Sequence, residues 1–353
     1  MEKIEANRNF ANKLWNSAKF VTENALKDIS DEELAELSVK GPIEMEEYDS
    51  MLLPERYIVS KCHTLVASVT EQIEKYQLGG AGSLIYAFFW DDFADWYIEI
   101  SKTRLYEGLG GTDELEAKKA RRVLVYVLDT CLRLLHPYMP FVTEHLWHHL
   151  PRTDPLVEQK AHAIMLSDWP QMDDTKPLVT SREAESTFEC FQAVTRGIRN
   201  ARAEYNVEPG KKISASIVAS SPIREEVQKE VASLNALAKL DADSVQFFEP
   251  GSEAARKAAT DSVQLVIQDG VEVFLPLAGL IDPEKERKRL EKQDDKLRKE
   301  IQKLAGRLNS SGFLDKAPAA VVDKAKNELA ELEDQAAKVK ASLECLPARK
   351  YTM

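Results

Sequence analysis

Residues 86–102 read YAFFWDDFADWYIEISK, and seven of the first twelve (Tyr86, Phe88, Phe89, Trp90, Phe93, Trp96 and Tyr97) are aromatic. Wound as a helix, the segment gathers Asp91, Asp92, Asp95, Glu99 and Lys102 on one stripe and leaves nearly all the rest apolar. A helix that is apolar around most of its circumference is enclosed by other elements rather than laid on a surface. Each aromatic ring buries a large area, so this segment is predicted to be the hub of a helical bundle. Its stripe is mainly acidic and would repel phosphate, which argues against the rings being a base-stacking platform.

The neighbouring segments supply the bundle. Residues 2–27 place Ile4, Ala11, Leu14, Ala18, Val21 and Ala25 at helical spacing, with Trp15 and Leu26 widening the stripe. Asp28–Asp49 is acidic, contains Gly41-Pro42 and is predicted to connect, with one short helix inside it. A second long helix is predicted over Glu55–Lys75. Leu78-Gly79-Gly80-Ala81-Gly82 is predicted to break the chain before the hub opens near Ser83. That glycine run lacks the Gly-Lys-Ser/Thr of a phosphate loop and reads as a separator of helices. Helices at Glu114–Leu135 and Phe141–Leu150 follow, bounded by His136-Pro137 and opened by Pro140. With irregular chain over Pro151–Lys176, residues 1–177 form an all-helical domain.

The period then changes. After a helix over Ser181–Tyr205, Lys212–Ala219 alternates like a strand, and Ile223–Lys239 returns to helix. Ser244–Phe248, Ser262–Gln268 and Val271–Leu275 read as strands, the last two joined as a hairpin through Asp269-Gly270. Residues 178–280 are thus a small α+β domain. From 281 to 353, Leu290, Leu297, Ile301, Leu304 and Leu308 share a heptad seam that Asp294 interrupts. Val322, Ala325, Leu329, Leu332, Ala336, Val339, Leu343 and Leu346 continue one without a miss. Two such helices separated by Asn309–Pro318 make an antiparallel coiled-coil hairpin. The fold class is mainly α.

Charge is unevenly placed. The 353 residues carry a formal charge of −12, yet residues 285–307 hold ten basic and five acidic side chains, and residues 196–212 five and two. The acid concentrates elsewhere, with eleven acidic and three basic residues over 21–60. Basic patches can therefore act locally on an acidic chain. Cys62, Cys131, Cys190 and Cys345 stand far apart with no CxxC, which suits single thiols in a reducing compartment. No window is apolar for long enough to span a membrane, and the charged start lacks a signal-peptide pattern.

Several motifs now in hand resemble one family. IEANRNFANKLWN from Ile4, WDDFADWYIE in the hub and LRLLHPYMPFVTEHLW over 132–147 are similar to the anticodon-binding bundle of valyl-tRNA synthetases. IRNARAEYNVEPGKKI at 198–213 and VFLPLAGLID at 273–282, followed by a basic coiled coil, narrow the resemblance to the valine enzyme. It covers essentially the whole chain. The family's His-x-Gly-His and Lys-Met-Ser-Lys-Ser motifs are absent. The resemblance thus implies the tRNA-binding C-terminal portion, inactive in aminoacylation by itself. ATP and magnesium belong to the catalytic domain, and the chain itself is expected to hold no cofactor and no metal. His145, His148 and His149 have no cysteine or carboxylate arrangement to complete a metal site, and we find no nucleophile–base constellation.

The resemblance places Lys13, Lys19 and Phe20 where the family's first bundle helix meets the anticodon loop. Lysines meet phosphates, and an aromatic face stacks on an unpaired base whose edges are then open to be read. Asn9 and Asn12 suit base edges and equally suit capping or core hydrogen bonds. Arg196, Arg199 and Arg202 recur every three residues and, with Lys211 and Lys212, form a basic patch or a merely solvated face. On the hairpin's first arm, Arg287, Lys288, Arg289, Lys292, Arg298, Lys299, Lys303 and Arg307 give an excess suited to phosphate contact. In the family this hairpin clasps the outer corner of the tRNA.

The expected partner is tRNA-Val, together with the catalytic half of the enzyme, and the expected state is a monomer away from membranes. The expected location is the cytoplasm, or a plastid or mitochondrial interior if a targeting peptide precedes residue 1. The competing reading is a coiled-coil protein-interaction module derived from a synthetase.

Overall fold

The computed structural model describes residues 2–276 except 28, 40–42, 107–108, 110, 112, 152–162, 171–178, 206, 261 and 269, together with 291–292, 295, 297–299, 301–306 and 329. The chain divides into two compact units. The first holds residues 1–199, 212–260 and 264–275; the second holds 200–211, 261–263 and 276–353.

In the first unit, α1 (Glu2–Lys19) runs into a π-helical turn at Phe20–Ala25. The acidic segment contains two helices rather than the one expected, α2 (Asp31–Val39) and α3 (Met45–Asp49). The long helix α4 spans Leu53–Glu74. The expected glycine break is displaced. The chain turns at Tyr76, whose φ is +58°, and Gly79, Gly80 and Gly82 lie inside α5 (Leu78–Ala87). Gly82 serves close packing there, because a Cβ on it would stand 3.2 Å from the Tyr138 ring, whereas a Cβ on Gly79 would meet open space.

The hub is helical, but its middle is wide. Phe88–Tyr97 is a π-helix between α5 and α6 (Ile98–Leu105). Phe89, Phe93 and Tyr97 stack along it at 5.5 and 6.3 Å between ring centroids, and all three are buried. Around the hub pack α1, α4 and α7 (Glu114–Leu135), while α8 (Pro140–Trp147) packs on α7 and α1. Helix α7 begins at the residue expected because Asp113 caps it, accepting from the backbone N–H groups of Leu115 and Glu116. Cys62, Cys131 and Cys190 are buried thiols whose pKa values burial raises, to about 12 for Cys62.

Helix α9 (Arg182–Glu204) leads to β1 (Ile213–Val218). The helix expected over 223–239 is two, α10 (Ile223–Lys229) and α11 (Val231–Ala238), separated at Glu230. The break has a cause: Glu230 is fully buried and both its carboxylate oxygens take the Arg104 guanidinium, at 2.6 and 2.7 Å. Strand β2 (Leu240–Phe248) starts earlier than expected, and α12 (Glu253–Ala259), capped by Ser252, was not expected at all. With β3 (Val263–Gln268) and β4 (Val271–Leu275) the sheet order is β2-β1-β4-β3, with β1 parallel to β2 and antiparallel to β4. The β3–β4 hairpin turns at Gly270, φ +75°, as the sequence predicts. Residues on both sides of the 177/178 boundary read from the sequence share this unit. Arg104–Glu230 and Arg56–Glu226 join them, as does Tyr57 stacked on Phe188 at 4.0 Å.

The same region carries two buried titrating groups with opposite pH signatures. His63, 1% exposed, donates from Nδ1 to the Val179 carbonyl and accepts at Nε2 from the Tyr126 hydroxyl, both at 2.8 Å. Burial lowers its pKa to about 4. Its stabilising contribution is whole above about 6.5 and is lost as pH falls toward 4. Glu55, 1% exposed, makes no side-chain hydrogen bond among the described residues, and burial raises its pKa to about 7 against the pull of Arg104. Its contribution is whole below about 4.5 and is lost as pH rises through 7. In Glu55→Gln the opposing term disappears. The urea midpoint is therefore expected to rise more steeply from pH 4 to pH 6.5 than in the parent chain. A midpoint with the parent's slope would contradict this.

In the second unit, Arg202 is buried and donates to the carbonyls of Glu208 and Lys211, closing the turn after α9. Leu297 is buried and Ile301 and Leu304 are half-buried on helical residues, in line with the first heptad seam. The rest of the hairpin, including Asn309–Pro318 and the second seam apart from Leu329, lies outside the described residues.

Candidate nucleic-acid interface

Helix α1 is pinned to the hub through rings. Phe10 stacks on Tyr86 at 4.7 Å and meets Phe89 edge-on at 5.8 Å, while Leu14, Ala18 and Val21 are buried beneath. That anchoring fixes which side faces out. Asn9, Asn12, Asn16 and Lys19 are all exposed, and their spacing of three, four and three sets them along one face. Of the residues expected there, Asn9, Asn12 and Lys19 are thus brought together. Asn16 was missed, although the same spacing pointed to it.

A carboxamide carries both a donor and an acceptor group. A row of three asparagines is therefore suited to the edges of unpaired bases, which present both kinds of group. None of the three has a side-chain partner among the described residues. The capping or core role weighed for Asn9 and Asn12 does not apply, since both face solvent.

The two lysines differ. Lys19 is exposed and its ammonium stands 3.5 Å from Glu23, an exposed pair of little energetic weight. Lys13 is half-buried, 2.5 Å from Asp95 and 5.4 Å over the Trp90 ring. Phe20 is half-buried under the Lys102 ammonium, 5.6 Å from its ring.

The acidic stripe of the hub is not bare, contrary to the sequence reading. Asp95 holds Lys13, Glu99 holds Lys102 at 2.6 Å, and Asp92 accepts from the Tyr57 hydroxyl. Carboxylates and cations alternate beside α1, so the hub's outer surface is closer to neutral than its composition suggests.

Arg196 and Arg199 emerge from α9, both exposed, with their guanidinium carbons 5.2 and 5.8 Å over the buried Trp96 ring. Arg199 also donates from Nε to the Leu237 carbonyl at 2.8 Å. Arg202, expected with them, turns inward as described above. Lys212 is exposed in the first unit and Lys211 in the second. On the hairpin, Lys292, Arg298, Lys299 and Lys303 are exposed on helical residues; Arg287, Lys288, Arg289 and Arg307 lie outside the described residues. His145 stacks on Trp15 at 5.2 Å and His148 donates from Nε2 to the Glu144 carboxylate at 2.8 Å.

Residues 55–218 match the family model described as the anticodon-binding domain of tRNA ligase, and residues 282–347 match the valyl tRNA synthetase tRNA binding arm. Among curated proteins, the chain is 44% identical over 98% of its length to a chloroplastic/mitochondrial valine–tRNA ligase of Arabidopsis thaliana, covering 34% of that protein. It is 39% identical over 91% of its length to the valine–tRNA ligase of Clostridium acetobutylicum, covering 33% of it. To that of Geobacillus stearothermophilus it is 36% identical over 97%, covering 35%. The chain spans about a third of the length of the curated relatives it matches.

Proposed function

Because the chain belongs to the valyl-tRNA synthetase family and carries the C-terminal part of its members, we propose that it binds tRNA-Val and contributes recognition to valyl-tRNA formation. The observation that carries this reading is the outward face of α1, where Asn9, Asn12, Asn16 and Lys19 align on a helix locked to the hub. The amides read unpaired bases of the anticodon, Lys19 meets phosphate, and the basic hairpin holds the outer corner of the same RNA. Two separated sites on one rigid ligand bind more tightly together than singly.

The reading assigns this chain no chemistry of its own. ATP and magnesium serve the catalytic domain, whose His-x-Gly-His and Lys-Met-Ser-Lys-Ser motifs are not in these 353 residues. The protein works as a monomer, in the cytoplasm or in a plastid or mitochondrial interior; the organellar choice is favoured by the name of the Arabidopsis relative. No helix of the described residues is long and apolar enough to cross a membrane.

The test is equilibrium binding of tRNA-Val against other tRNAs across a salt series. The expected result is preference for tRNA-Val and a steep linear fall of log K with log salt. Absence of binding at low salt would overturn the reading and favour the protein-interaction module.

A further inference from the structure

We propose that Arg196 and Arg199, backed by Trp96, together with Lys102, form a clamp for a backbone phosphate of the RNA that α1 reads. The clamp is indifferent to base identity. It rests on the RNA-binding reading above and assigns a surface that reading does not use.

Three observations carry it. The arginines of the bundle helices α4, α6 and α7 are already neutralised: each lies against a carboxylate, as in Arg56–Glu226, Arg104–Glu230, Arg121–Glu33, Arg122–Glu47 and Arg133–Asp129. Arg196 and Arg199 form no ion pair among the described residues. They are nevertheless held in place. Both lie over one indole that is itself buried and braced edge-on by Phe188 at 6.3 Å. A guanidinium held over a ring face keeps N–H groups available to an anion, and in Arg199 these are on the terminal nitrogens, because Nε donates to the Leu237 carbonyl.

The second observation is mutual repulsion. Two like charges are set over the same ring, and burial and the Arg196 charge both draw the Arg199 pKa below the ordinary arginine value. An anion shared by the two guanidinium groups relieves that repulsion. The third is continuity with α1. Lys102 lies over Phe20 at the end of α1 and holds Glu99, the carboxylate whose field also reaches Arg199. Trp96, Glu99 and Lys102 follow one another at three-residue spacing along the hub, which carries this surface from Phe20 and Lys102 toward the arginine pair within the first unit. Glu99 is a negative group on this path, and an arriving phosphate must compete with it.

The experiment is tRNA binding by the full chain and two variants over a salt series. Arg196→Gln/Arg199→Gln is expected to weaken tRNA-Val and other tRNAs by the same factor, about tenfold at low salt. It should also lower the slope of log K against log salt by about 0.8, the loss of one neutralised phosphate. Glu99→Gln is expected to tighten all tRNAs alike by a few fold, a gain that a damaged fold cannot produce. Unchanged affinity and slope in the first variant, or no gain in the second, would overturn the clamp while wild-type binding left the RNA-binding reading intact. Loss confined to tRNA-Val would also overturn it, since that marks base reading. A wild-type chain that binds no tRNA would overturn both.

Discussion

Replacing Glu230 by alanine is expected to cost about 3–5 kcal/mol of stability, the range found when one partner of a buried ion pair is removed. Glu230 is fully buried and takes Arg104 through both oxygens at 2.6 and 2.7 Å, while the Ser233 hydroxyl donates to one of them at 2.9 Å. The substitution leaves a guanidinium that is 8% exposed with Glu55 as its remaining carboxylate, 3.9 Å away. Urea unfolding should show the midpoint falling sharply. The double variant Arg104→Met/Glu230→Leu should recover most of the loss, because neither charge is then stranded. If the double variant were as unstable as the single one, shape rather than charge would govern this junction.

Phe93→Ala is expected to cost a further large amount, about 3–5 kcal/mol, by opening a cavity in the centre of the bundle. Phe93 is fully buried, with Phe89 and Tyr97 on either side of it along the π-helical hub. Phe89 is also the ring on which Phe10 of α1 rests. Unfolding followed by intrinsic tryptophan emission tests this, since Trp90 and Trp96 flank the site. A loss below about 1 kcal/mol would mean that the surrounding rings close the cavity.

The hub and the helices around it were legible from the sequence because burial writes itself as periodicity. Glu114–Leu135 and Val271–Leu275 appear with the bounds expected. What escaped was set by single contacts. Nothing in Ile223–Lys239 announces a break, since Glu230 is displaced by Arg104, which is distant in sequence. The glycines of Leu78–Gly82 suit a loop locally, and the close approach of Tyr138 to Gly82 inside the helix is a contact distant in sequence. In the site, Asn16 was recoverable from the spacing of its neighbours. The roles of Lys102 and Trp96 were not, because they arise from pairing across helices. Arg202 shared a three-residue spacing with Arg196 and Arg199, but that spacing cannot show that its side chain turns inward to close a turn.

The α1 face is the centre of the account, and tRNA selectivity measures it. Wild-type chain and Asn12→Ala/Asn16→Ala should be titrated with tRNA-Val and with a tRNA of different anticodon at one fixed salt concentration. The expected result is a wild-type preference for tRNA-Val that the double variant loses, with its affinity for the other tRNA unchanged. A preference retained in full by the double variant would contradict it.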